Sequence, residues 1–260
     1  MEILRELMAQ QEVAAFTLSG EQLADLRSFV EQELEPHLSA VAAHSLAYFG
    51  DLSDVAILVQ RMATLQDDAA SSNAAWALGS SKPSVVLEAI ATYLSGETSQ
   101  DELERCLAQW TTLSAPRSSL SPQAIEVVER VADSTIANAK LPTSLRLRAL
   151  ASLSTTSPET CWKRSAAILR VAEEADPLHR IAARFVVDGS RDFGWDGLIE
   201  SPDLSESAQL GLAGAILATD VAIEASTRNW AVDYLENLRT HATDPILRRR
   251  IQRALDGRDD

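Results

Sequence analysis

DPLHRIAARFVVDG, from Asp176 to Gly189, and DPILRRRIQRALDG, from Asp244 to Gly257, are built on one plan. Each opens on Asp-Pro, has the same length and closes on Asp-Gly, and the second start follows the first by 244 − 176 = 68. Proline has no N–H to lose in the first turn of a helix, and an Asp ahead of it can accept from the free amides there. A helix that recurs with both its ends at a fixed spacing implies a structural repeat.

Working outward, weaker versions of the same start fall near Pro36, Ala70, Gln100, Thr143 and Ser205, so that with Pro177 and Pro245 the intervals average about 35 residues. The opening spacing is then two repeats. Read as second helices of pairs, these segments have partners before them at about 21–34, 52–66, 83–95, 122–140, 158–175 and 221–241, with a stunted one near 195–200 and a capping helix at 2–15. Ile125, Val128, Val131, Ile136 and Ala139 share one helical face, as do Trp230, Tyr234, Leu235 and Leu238. One amphipathic pair cannot bury its apolar face alone, so neighbours must stack. The expectation is an all-α chain: a right-handed α-α solenoid of about seven helix pairs with an N-terminal capping helix, forming one domain over residues 1–260.

Composition agrees. Hydrophobic residues make up 46% of the chain but aromatics only 5%, and the apolar set is dominated by Ala and Leu, which favours helix over sheet. The opening MEILRELMAQ carries Glu2, Arg5 and Glu6 where a secretory signal needs an apolar run, and the longest uncharged stretch, Pro36 to Gly50, is too short to span a bilayer. A soluble, cytoplasmic protein is expected. Cys106 and Cys161 form no C-x-x-C pair and read as two reduced, buried thiols. The formal charge of −15 argues against a general affinity for nucleic acid or an anionic membrane, since both are polyanions. That charge is uneven: residues 1–140 hold 8 basic and 20 acidic side chains, residues 141–260 hold 15 and 18.

The segment from His44 to Leu94, HSLAYFGDLSDVAILVQRMATLQDDAASSNAAWALGSSKPSVVLEAIATYL, resembles bacterial HEAT repeats, with a helix, an acidic turn and a second helix bearing a small-residue core. Ala74-Ala75-Trp76-Ala77-Leu78-Gly79 carries that likeness, and Ala42-Ala43-His44-Ser45-Leu46-Ala47 carries it one repeat earlier. The resemblance covers about residues 36–95 and is degenerate elsewhere. It implies a curved stack whose second helices line the concave face. It implies no single activity, because HEAT-like arrays serve as scaffolds, inhibitors, lyases and DNA glycosylases.

No nucleotide-binding glycine pattern, nucleophile elbow, H-E-x-x-H or zinc spacing is present, so no catalytic residue, cofactor or metal ligand is assigned. Asp192-Phe193-Gly194 matches a kinase triplet by coincidence, Asp188, Asp192 and Asp196 lack calcium-loop spacing, and His37 and His44 are seven apart. Binding candidates remain. His44 and Trp76 occupy equivalent positions and form either a partner-binding stripe or a packing contact between repeats. Asp192, Phe193 and Trp195 lie in a glycine-rich segment, Gly189 to Gly197, that either presents its rings to a partner or folds them inward.

Arginines collect on the second helices. Arg180, Arg184, Arg249 and Arg253 are candidates for meeting carboxylates or phosphates. Against this, Arg146, Arg180 and Arg248 sit where a structural Arg–Asp ladder would be. The function expected is a non-enzymatic protein-interaction module, an adaptor or an inhibitor of immunity type, holding a cationic protein on its concave or acidic surface. The alternative is a HEAT-like enzyme or ligand-binding array, DNA glycosylase-like or phycobilin lyase-like, with an Arg/Trp-lined groove.

Overall fold

In a computed structural model, the described residues are 18–32, 36–65, 68–113, 115–171, 176–195, 197–199, 201 and 204–256. Among them the fold is all helical: α1 Gly20–Gln32, α2 Pro36–Phe49, α3 Leu52–Thr64, α4 Asp68–Leu78, α5 Pro83–Leu94, α6 Gln100–Thr112, α7 Pro122–Ala137, α8 Thr143–Thr156, α9 Pro158–Leu169, α10 Asp176–Phe193, α11 Glu206–Ala218, α12 Ala225–His241 and α13 Pro245–Leu255. A short 3-10 turn, Arg117–Ser119, precedes α7. The second helices are α2, α4, α6, α8, α10, α11 and α13, and their starts agree closely with the expected positions. The capping helix expected at 2–15 lies outside the described residues.

The chain divides into two compact units, with the boundary after Val128, inside α7. In the first unit α2 packs on α4 and α3 on α5 and α6; in the second α8 packs on α10, α10 on α11 and α11 on α13. Like helices of successive repeats therefore stack, as in an α-solenoid. Leu46, Val55, Leu58, Leu78 and Ile90 are wholly buried in the first unit, and Leu145, Leu150, Leu178, Leu212 and Ile251 in the second. Cys106 and Cys161 are free and buried, and burial pushes each thiol pKa up to about 12.

Helix starts carry the chemistry their residues announce. Asp51 and Asp54 form a capping box at α3, as Ser99 and Glu102 do at α6, and Asp244 accepts from the Ile246 N–H ahead of α13. Asp54 is fully buried yet paired with the Arg27 guanidinium. The ends also have a recurring device. The fourth residue of a second helix donates to a carbonyl at the end of the helix before it: Ser71 Oγ to Met62 O at 2.8 Å, Arg146 Nε to Ile136 O at 2.9 Å, His179 Nε2 to Val171 O at 3.0 Å and Arg248 Nε to Ala242 O at 2.6 Å. Such carbonyls lack intrahelical partners, so in these four pairs one donor satisfies a helix end and fixes the two helices together. Arg146 and Arg248 do serve structure, through backbone carbonyls, but in α10 the position belongs to His179 and not to Arg180.

The stunted helix near 195–200 is absent from the described residues, which form turns there. Asn138 Oδ1 accepts from the Lys140 N–H and closes a turn, which ends α7 at Ala137 rather than 140. Gly189, read as a helix terminator, instead lies inside α10. A Cβ there would meet Trp162 Cδ1 at 2.8 Å and Phe193 Cδ2 at 3.2 Å, so glycine serves close approach and not chain reversal. Gly189→Ala should therefore cost about 1–3 kcal/mol by overpacking, although alanine is the better helix former. Chemical denaturation checks it; a gain in stability would contradict the packing.

Candidate functional site

The first unit places His44 and Trp76 side by side. Both sit on second helices, one repeat apart, and their rings meet with centroids 3.6 Å apart at 43°. Ser80 Oγ lies 3.4 Å from His44 Nδ1. Trp76 is nevertheless 66% exposed, so the tilted ring contact braces the indole rather than covering it. Val41 and Tyr48, one turn to either side of His44 on α2, are exposed as well. The periodicity 41, 44, 48 was available in the sequence as a signal for them. Together these four side chains make an apolar, aromatic stripe on adjoining second helices, within a unit that carries 18 acidic against 6 basic residues up to Val128.

Burial lowers the His44 pKa below the usual 6.5, because the partly covered ring loses water that would stabilise its cation. A depressed folded-state value favours the neutral form. Stability from this contact should be complete above pH 6.5 and fall as pH drops through the lower folded-state value. Proton NMR of the imidazole should show titration below 6.5, and a midpoint at or above it would contradict the burial of the ring.

The second unit holds a groove of about 450 Å³ between α10 and α11, lined by Arg180, Ile181, Arg184, Asp188, Ala215 and Val221 among others. Arg184 Nε approaches Asp188 Oδ2 only to 4.0 Å. Burial raises the Asp188 carboxyl pKa and Arg184 opposes that rise. Arg180 is exposed and forms no hydrogen bond or ion pair among the described residues. Behind it His179 is fully buried, its Nε2 donating to the Val171 carbonyl and its Nδ1 lying 3.1 Å from Ser207 Oγ. Sequence reading did not single out His179. Its place as fourth residue of a second helix, matching Arg146 and Arg248, was the available signal.

The remaining candidates are not brought together. Asp192 is exposed on the last turn of α10, and Phe193 ends that helix with its ring 6.0 Å from that of the buried Trp162. Phe193 thus folds inward. Trp195 is half-buried in the following turn, between Gly194 and Gly197, whose φ values of 78° and 65° favour glycine. Arg249 and Arg253 are exposed on α13, where Ile246 is exposed too. His37 has its side chain outside the described residues. Among those residues no group of three or more His, Cys, Asp or Glu is placed to hold a metal ion, and no helix is long and apolar enough to cross a membrane.

No family model matches the sequence, and no curated protein is detectably similar to it. Among solved structures, the chain is similar to an engineered protein, at 17% identity over 91% of this chain and 68% of that one, with a TM-score of 0.39. It is also similar to a designed armadillo repeat protein, at 12% identity over 92% and 99% of the two chains, with a TM-score of 0.29. Likeness at this level says nothing of function.

Proposed function

We propose that this chain is a HEAT-like, non-enzymatic interaction module that holds a cationic protein partner on the second-helix face of its first unit, as an adaptor or as an inhibitor that acts by occlusion. One observation carries the reading: Trp76 is largely exposed while His44 holds its ring in place, and Tyr48 and Val41 extend the patch. A rigid aromatic at the centre of an exposed patch is the usual anchor of a protein interface, and an indole face within an acidic unit also suits an arginine or lysine by cation–π attraction. Opposite fields would speed the encounter. Free, buried thiols suit a reducing, cytoplasmic setting.

Structure decides which charges to test. Glu102 accepts from the Ser99 N–H at 2.7 Å and Glu104 has a partner, so neither is a simple surface charge. Asp25, Glu97, Asp101 and Glu126 are exposed. Replacing these four with their amides should slow association with the partner recovered by co-purification about tenfold at low salt, and flatten its salt dependence. The fold should be nearly untouched, since exposed charges contribute little. Stopped-flow measurement of association checks it, and an unchanged rate would contradict electrostatic steering.

A further inference from the structure

We propose that the groove between α10 and α11 binds a carboxylate carried by an acidic, partly apolar peptide segment of a protein partner. The inference goes beyond the reading above, because its ligand has the opposite charge and its site lies in the other unit.

Five arginines already have structural partners. Arg27 pairs with Asp54 and Arg164 with Asp133. Arg105 donates to the carbonyls of Ala63 and Leu65, both at 2.7 Å, while Arg146 and Arg248 hold helix ends. Structural duty thus explains these five. It does not explain Arg180, which the adjacent His179 displaces from the carbonyl position of its repeat and which lines a groove with no partner of its own among the described residues. Arg184, one turn on, is held by Asp188 only at the limit of an ion pair. A carboxylate entering the groove could take Arg180 in the paired geometry that guanidinium offers.

The walls select the rest of the ligand. Ile181, Ala215, Ala218 and Val221 provide apolar surface beside the arginines. At Gly211 α11 packs against the α10 backbone, where a Cβ would lie at ordinary contact distance, 3.4 Å, from Arg180 Cα. Asp188 and Asp220 also line the groove, so its formal charge balances. A polyanion or a phosphate dianion would meet those two carboxylates. A single carboxylate flanked by aliphatic side chains would not, and a peptide backbone supplies N–H groups for them.

Isothermal titration calorimetry with the peptide acetyl-Leu-Leu-Glu-Leu-Leu-amide, which carries one carboxylate among aliphatic side chains, and the full chain tests the proposal. Binding is expected, weakened at least about tenfold by Arg180→Gln and equally by Ala218→Trp, which fills the groove from an exposed position. The same peptide with Gln in place of Glu should not bind, and Trp76→Ala should leave binding unchanged, so failure here and failure of the Trp76 surface are separable. Absence of binding at millimolar peptide, or equal binding by Arg180→Gln, would overturn the proposal. Displacement of the peptide by inorganic phosphate at similar concentration would overturn it too, by assigning the groove to a free oxyanion.

Discussion

Leu46→Ala and Leu78→Ala are each expected to destabilise the first unit by about 2–5 kcal/mol. Both leucines are completely buried and sit one repeat apart, separated by the same step that relates His44 to Trp76. Each closes the small-residue core of its second helix, where alanines at 42, 43, 74 and 77 bring helices too close for the surroundings to collapse into a void. The loss is therefore transfer free energy plus an unrelaxed cavity. Urea denaturation followed through a probe in the first unit measures it, because two compact units need not unfold together. A change below about 0.5 kcal/mol at either site would mean that the repeat register there is wrong.

Trp76→Ala is expected to weaken partner binding about thirtyfold or more, the effect of losing an interface anchor worth about 2 kcal/mol. Stability should change little by comparison, since the indole is mostly in water and loses only its contact with His44. The loss should appear in the dissociation rate, whereas neutralising the acidic side chains should appear in association. Surface plasmon resonance separates the two. An affinity within about twofold of the parent would remove Trp76 from the interface.

Much of the fold was legible because the signals were local. Asp244-Pro245, Asp51 with Asp54, and Ser99 with Glu102 each announce a helix start within a short span of chain, and the starts set the repeat. Illegible features depended on distant neighbours. Gly189 looks like a terminator until Trp162, on the preceding helix, is seen packed against it. Val221 carries an apolar side chain that suits a helix, but it lines the groove beside α10 and α11, and α12 starts only at Ala225. For the candidate site, the spacing of His44 and Trp76 predicted equivalence, and the structure adds that the rings touch. Arg180 and Arg146 were indistinguishable in sequence, both being early arginines of second helices. Their difference arises from a register shift of a single position, with His179 taking the carbonyl that Arg146 takes in its own repeat.

The most direct test of the interaction surface is photo-crosslinking in native lysate from a benzophenone amino acid placed at Tyr48, one turn beyond His44 on α2, with Lys163 on α9 as the control position. Both side chains are exposed, so neither replacement should disturb the fold. The expected result is one basic protein joined at position 48, absent from position 163 and lost when Trp76→Ala is added. Adducts that are nucleic acid, or that form equally from both positions and survive Trp76→Ala, would contradict a protein-binding face on the first unit.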